Sequence, residues 1–243
     1  MSDSTTQVTI ARRFAGPPSS GNGGYTSGLL ASYAGPHDQP MTVTLRTPPP
    51  LETALDVERR PDDATTQLLA GDVLVAEAGA GSFSGDVVPP VPMADARAAE
   101  ASYRGLHDHP FTGCFVCGTA RAEGDGLRLR PGLFAPGQTA CVWTPHPSLA
   151  EDEGRVAPVF IWSALDCPAG WTSDLDARPL VLGRMTASTT DHVTAGRAYT
   201  IVGRLLAEEG RKTLTATTAY DDEGRVVGRA EHVWIAIDPT RFS

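Results

Sequence analysis

Lysine is almost missing from this 243-residue chain: Lys212 is the only one, and nearly all the positive charge is arginine. With a formal net charge of −9 and no basic run to offset it, the composition argues against a nucleic-acid backbone as the main partner. No uninterrupted apolar run reaches the length that crosses a bilayer, so no membrane partner is expected. The opening residues, MSDSTTQVTIARR, lack the charged-then-apolar order of a secretory signal, and the expected location is cytoplasmic. Cysteine is scarce. Cys114, Cys117, Cys141 and Cys167 do not make a disulfide framework in a chain of this kind. No Gly-x-Ser-x-Gly elbow is present, which removes the usual signature of a serine hydrolase on an α/β sheet. Asn22-Gly23-Gly24 lacks the lysine and the spacing of a phosphate-binding loop.

What is present centres on residues 154–171, GRVAPVFIWSALDCPAGW. Pro158 sits where a first helical turn would begin, where a missing amide hydrogen costs nothing. Val159, Phe160, Ile161, Trp162, Ala164 and Leu165 then make an apolar run, and a helix apolar all round belongs in a core. Asp166 interrupts that run, with Pro168 two residues on. A carboxylate placed there is costly unless it is hydrogen-bonded or reached through a cleft, which makes Asp166 the first candidate for function. The structural alternative is a carboxylate that only brackets the helix end near Pro168.

Taken in order, residues 8–14 read as a strand. A Gly/Ser/Pro loop follows, feeding a short helix through Tyr25, Leu29, Leu30 and Tyr33 that Gly35-Pro36 ends. Strand-like runs occupy 41–47, 51–59, 65–70 and 73–83, with turns at Pro48-Pro49-Pro50, Pro61-Asp62-Asp63 and Gly71-Asp72. Residues 84–112 change character: three prolines lead into an Ala-rich segment, ADARAAEASY, read as a short connecting helix. Beyond it, 127–130 and 139–143 read as strands, 156–171 as the central helix, and 180–190, 199–207, 213–220 and 226–237 as strands.

The halves are alike in order and locally in sequence. GDVLVAEA at 71–78 lies over GRVVGRAE at 224–231, and Asn22-Gly23-Gly24-Tyr25 over Ala157-Pro158-Val159-Phe160. Each half is strand, helix, antiparallel meander, so a twofold internal repeat is expected, with units at 1–90 and 113–243 and a linker at 91–112.

A buried helix followed by a long antiparallel meander resembles the hotdog fold, an α+β fold in which the sheet wraps a central helix. Two copies in one chain resemble the double-hotdog acyl-CoA thioesterases. Three stretches carry the likeness: SALDCPAGW at 163–171, GNGGYTSGLLA at 21–31, and CFVCG with GLRLRP at 114–118 and 126–131, the last similar to the lead-in of phenylacetyl-CoA-thioesterase-like sequences. The resemblance implies hydrolysis of an acyl-CoA or acyl-carrier thioester without a cofactor. It also implies a homodimer or higher homo-oligomer. In such proteins a carboxylate on the central helix acts as general base or nucleophile, and helix-start amides polarise the thioester carbonyl. Asp166 matches the carboxylate. The family's glycine eight residues earlier falls on Pro158, which has no N–H to donate. The first half departs in the opposite sense, with Gly23 and Gly24 present but Ala31 or Ser32 where a carboxylate would stand. Two readings follow. In one, Asp166 works with Gly23, Gly24 and Asn22 of the other half as a composite catalytic site. In the other, a degenerate cleft binds an acyl thioester or apolar ligand without turning it over.

His107, His109, Cys114 and Cys117 form an HxH…CxxC pattern that could hold Zn²⁺, but a lone CxxC does not define a site, and no metal is assigned. Redox use of the CxxC lacks a thioredoxin-like context. Trp143, Trp162, Trp171 and Trp234 read as core residues or residues between the halves, with an aromatic ligand slot as the alternative, and Arg128, Arg130 and Arg184 as surface arginines rather than contacts for a CoA phosphate.

Overall fold

The computed structural model describes residues 6–60, 64–175, 178–190 and 192–238. The turn expected at Pro61-Asp62-Asp63 lies outside them. Among the described residues, eleven strands form one antiparallel sheet, with β1 Thr6–Thr9, β2 Met41–Leu45, β3 Ala54–Arg60, β4 Thr65–Ala70, β5 Val73–Ala80 and β6 Gly132–Ala135. The series continues with β7 Gln138–Trp143, β8 Leu180–Thr189, β9 Tyr199–Glu209, β10 Lys212–Tyr220 and β11 Val226–Ala236. The α-helices among the described residues are α1 Gly23–Ala34, α2 Met93–Ala99 and α3 Pro158–Gly170. No helix among the described residues is long and apolar enough to cross a membrane.

The strand order is β1-β3-β4-β5-β2-β8-β11-β10-β9-β7-β6. Outward from the β2/β8 junction it runs β2-β5-β4-β3-β1 on one side and β8-β11-β10-β9-β7 on the other, so each helix follows the outermost strand of an identically ordered set. β6 is an extra edge strand. At the junction Met41 faces Ala187 and Val43 faces Met185, and all four are buried. The intervening Thr42 and Thr186 point to the other face and join hydroxyls at 2.7 Å. This is the alternation that fixes a strand's register when one face is buried. The helices α1 and α3 lie together inside the curve of the sheet, α1 against β2–β5 and α3 against β7–β11.

Glycines permit the helix crossing. A Cβ on Gly24 would come within 2.5 Å of Asp166 Cβ, and one on Gly28 within 2.7 Å of Trp162 Cβ and 3.0 Å of the Val159 backbone. Gly23 likewise lies against Leu182 of β8. The helix α3 is buried from Ile161 to Gly170 and continues past Pro168. Its C-terminal end is secured from the sheet, where Thr139 Oγ1 donates to the Pro168 carbonyl at 2.6 Å.

Residues 88–99 run over the outer face of the second half of the sheet, and Tyr103 and Phe111 beyond them pack with the main core. Val88, Val91, Ala96 and Ala99 pack on the outer face with Ala140, Val202 and Ala216, whose sequence neighbours Cys141 and Ile201 face the main core. The expected connecting helix is α2.

Several expected strands are corrected. Residues 8–14 are not one strand: β1 ends at Thr9 and Arg12–Phe14 form a 3-10 turn that turns Phe14 inward to stack on Tyr25. The strand expected at 51–59 begins at Ala54, because Glu52 takes a positive φ of 54° in a bend. That expected at 73–83 stops at Ala80. Residues 127–130 form no strand. Leu127 and Leu129 give their amides to Phe115 and Val116, but Arg128 between them has φ 55°, which breaks extended pairing. The strand that follows is β6, which begins at Gly132, two residues beyond Arg130.

Candidate functional site

Asp166 sits two turns into α3, opposite the start of α1, and is 2 % exposed. Its Oδ2 accepts a hydrogen bond from Asn22 Nδ2 at 2.9 Å and another from the Gly24 amide at 3.0 Å. Both donors come from the other half of the chain. Oδ1 has no partner among the described residues. Burial pushes the carboxyl up to about 7, with the nearby Cys114 sulfur adding to the rise and the Gly24 and Asn22 bonds opposing it.

Asn22 is well placed because it caps α1. Its backbone is extended, its Oδ1 accepts the Tyr25 amide at 2.8 Å, and its carbonyl accepts the Thr26 amide. That is the ordinary work of an N-cap asparagine. The amide end of the same side chain is then left to reach Asp166, with Cys114 Sγ 3.9 Å away. Of the first-turn amides of α1, Gly24 is taken by Asp166, Tyr25 by the cap and Thr26 by the Asn22 carbonyl. Gly23 has no acceptor among the described residues. The sequence reading treated Gly23 and Gly24 alike as donors to an oxyanion. In the fold they differ, because the Gly24 N–H is engaged by the carboxylate.

Asp166, Asn22 and Gly23 line a pocket of about 260 Å³ between the halves. One wall is the 45–49 segment, Leu45 to Pro49, which includes Arg46 in an ion pair with Glu77. The remainder is largely apolar, with Phe111, Trp171, Leu175, Leu182, Trp234 and Ile235. Of the four tryptophans, Trp171 and Trp234 are pocket residues between the halves, whereas Trp143 and Trp162 are fully inside. Trp171 is held edge-on by Tyr103 and His109, and Trp234 by a bond from its indole N–H to Thr215 at 2.9 Å. Sequence periodicity had no means of separating these pairs, since all four occupy apolar surroundings.

The Cys114–Gly118 loop closes the floor. Phe115 is buried against Phe14 and gives its amide to the Ala15 carbonyl at 2.7 Å. Cys114 and Cys117 meet Cys167, the residue after Asp166, so that the three Sγ atoms lie within 4.8 Å of one another. Thiol hydrogen bonds from Cys117 and Cys167 and the amides of Cys117 and Val116 hold Cys114 well below the usual thiol range. Burial, then Cys114 itself, pushes Cys117 up, and the bonds to Cys114 and Cys117 push Cys167 up. The histidines of the HxH…CxxC pattern do not join. His107 is exposed, and the His109 ring lies 3.2 Å from the Cys117 carbonyl while accepting the Phe111 amide. Cys167 was missed as a partner because it lies fifty residues away on a helix. Arg128, Arg130 and Arg184 are exposed and outside the pocket.

No family model matches the chain, and no curated protein matches it in sequence. Solved structures do resemble it over nearly its full length. A conserved protein of unknown function with hot dog fold from Alicyclobacillus acidocaldarius is 12 % identical, with a TM-score of 0.63 over 98 % of this chain and 95 % of its own. A candidate thioesterase from Novosphingobium aromaticivorans is also 12 % identical, with a TM-score of 0.64 over 98 % and 97 %. A TesB protein from Mycobacterium avium subsp. paratuberculosis is 10 % identical, with a TM-score of 0.62 over 96 % and 93 %. At such identities the likeness is one of backbone, and together with the antiparallel sheet around its helices it identifies the architecture: this chain has the hot dog fold.

Proposed function

We propose that the chain is a double hotdog, with repeats at 1–90 and 113–243 joined by 91–112, and that it hydrolyses an acyl thioester of CoA or an acyl carrier in the pocket between them. The observation that carries this reading is the composite carboxylate. Asp166, which lines the pocket, has Oδ2 fixed by Asn22 and Gly24 of the other half, while Oδ1 is buried and has no hydrogen-bond partner among the described residues. A carboxylate anchored through one oxygen is oriented to use the second on water, which is what general-base catalysis requires. Asn22 and Gly24 are positioning residues in this scheme. Gly23, the first-turn amide without an acceptor, is the donor for the developing oxyanion.

The reaction balances without a cofactor. Asp166 takes a proton as water attacks the thioester carbonyl carbon, the C–S bond breaks, and the proton passes to the departing thiolate, leaving a carboxylic acid and a free thiol. The apolar lining suits an acyl chain.

The test is a panel of acyl thioesters with release of thiol followed by a chromogenic trap. Asp166→Asn keeps the side-chain shape and is expected to lower kcat by about a hundredfold or more with KM little changed. Equal rates in the variant and the parent overturn the role of Asp166. An absence of hydrolysis across the panel, with acyl-CoA still bound, replaces the reading with that of a binding protein.

A further inference from the structure

The three-cysteine cluster has no part in the hydrolysis just described, yet its geometry is specific. Cys114 Sγ and Cys167 Sγ are 3.8 Å apart, and the third sulfur, on Cys117, lies within 4.8 Å of both. All three are free thiols. A disulfide would need about 2.05 Å between sulfurs. A tetrahedral ion with metal–sulfur bonds of about 2.3 Å sets its sulfurs roughly 3.8 Å apart. We propose that Cys114, Cys117 and Cys167 form a thiolate site for Zn²⁺, with the fourth coordination position opening on the pocket between the halves.

The backbone is shaped for such a site. Cys114-Phe115-Val116-Cys117-Gly118 folds back on itself so that the Gly118 amide meets the Cys114 carbonyl at 2.9 Å. A Cβ on Gly118 would collide with that carbonyl and come within 2.6 Å of the Cys114 nitrogen, so the turn requires glycine. The same fold brings the amides of Val116 and Cys117 to the Cys114 sulfur, an arrangement that offsets thiolate charge. The loop is pinned to the rest of the molecule on both strands of its backbone, through Phe115 to Ala15 and through Leu127 and Leu129. The third sulfur arrives on the rigid α3. Preformed sulfurs on a tight turn and a helix lose little entropy when they close on an ion.

Three soft donors favour zinc over magnesium or calcium, which take oxygen ligands. Among the described residues no fourth Cys, His, Asp or Glu places a ligand atom within the same 4.8 Å group. All three cysteines line the pocket. Three protein ligands with an accessible fourth position is the arrangement of zinc sites that bind an exchangeable water or ligand. The proposal does not rest on thioester hydrolysis, and either can fail alone.

The full chain, reduced and stripped with a chelator, is titrated with Zn²⁺ and with Co²⁺. One equivalent of either is expected per chain. Bound Co²⁺ should show a thiolate-to-cobalt charge-transfer band and the strong visible bands of tetrahedral coordination. Zn²⁺ should protect three of the four thiols from a thiol reagent under conditions that unfold none of the chain. Cys114→Ser and Cys167→Ser should each weaken Zn²⁺ binding by about tenfold or more. Cys141→Ser, which alters a buried thiol outside the cluster, should leave binding intact and so control for damage to the core. Added imidazole should shift the visible bands of the Co²⁺ protein by entering the fourth position, and bands that do not move overturn the open position. A reduced, folded chain that takes up no Co²⁺, or one whose cobalt spectrum survives Cys167→Ser, overturns the site.

Discussion

Asp166 was legible because a carboxylate in an apolar helical run violates the pattern around it, and such violations mark either a cap or a site. Its partners were only half legible. Asn22, Gly23 and Gly24 stood out as a helix start, but the bond from Gly24 to Asp166 spans 142 residues and leaves no trace in local spacing. A second buried titratable residue, His232, gave no signal at all. It sits on β11 with its ring near Thr215 and Trp234, 3 % exposed. Burial lowers it from 6.5 to about 4, outweighing the backbone carbonyls of Thr215 and Leu165 that favour the protonated ring. The unfolded chain therefore takes up a proton near pH 6.5 that the folded chain refuses until about pH 4. His232 supports stability fully above pH 6.5, and that support is lost as the pH falls towards 4, by up to about 3 kcal/mol. Urea unfolding of the parent and of His232→Asn at stepped pH is the check. The parent's stability should fall relative to the variant's by about one proton's slope across that window. Parallel curves would mean that the ring is protonated in the native state.

At the scale of elements, turns were read well and edges poorly. Gly71 adopts positive φ at the turn expected there, and Gly196, Gly210 and Gly224 do the same between the later strands, because the residue type carries the conformation. Strand limits at Thr9, Ala54 and Ala80 depend on where a neighbouring strand stops, which the sequence of one strand does not contain. The crossing of α1 and α3 is the element-level feature with the most consequence, and it turns the usual sign of a substitution. In a solvated helix Gly→Ala gains about 1 kcal/mol. At Gly28 the new methyl would stand 2.7 Å from Trp162 Cβ and 3.0 Å from the Val159 backbone, where neither neighbour can swing away. Gly28→Ala is expected to destabilise by about 1–3 kcal/mol, read as a lower urea midpoint at unchanged m. Gly24→Ala should show the same loss and should also depress thioester turnover, since its methyl would displace the Asp166 side chain itself. An increase in the Gly28→Ala midpoint would mean that the helices are further apart than described.

For the molecule as a whole, the repeated order of elements could be read from the sequence, but how the two halves meet could not. The internal likeness of 71–78 and 224–231 predicts similar units and says nothing of the β2/β8 pairing or of the helix contact beneath it. Those contacts decide whether the chain behaves as two folding units or one. The sheet is continuous through β2 and β8, α1 buries its glycine-lined face on α3, and the hydrogen bonds that Asp166 accepts among the described residues come from the opposite half. Neither half can unfold without stranding a buried carboxylate and an apolar helix face, so a single cooperative transition is expected. The distribution of tryptophan makes this simple to check. All four, Trp143, Trp162, Trp171 and Trp234, lie in the second half, so their fluorescence follows that half alone, while far-ultraviolet circular dichroism follows the strands and helices of both. In urea the two signals should give superimposable curves with one midpoint. If the dichroism falls in two steps, with fluorescence following only one, the halves are independent domains that share a sheet edge. The composite pocket, lined from both halves, would then be lost at the first step.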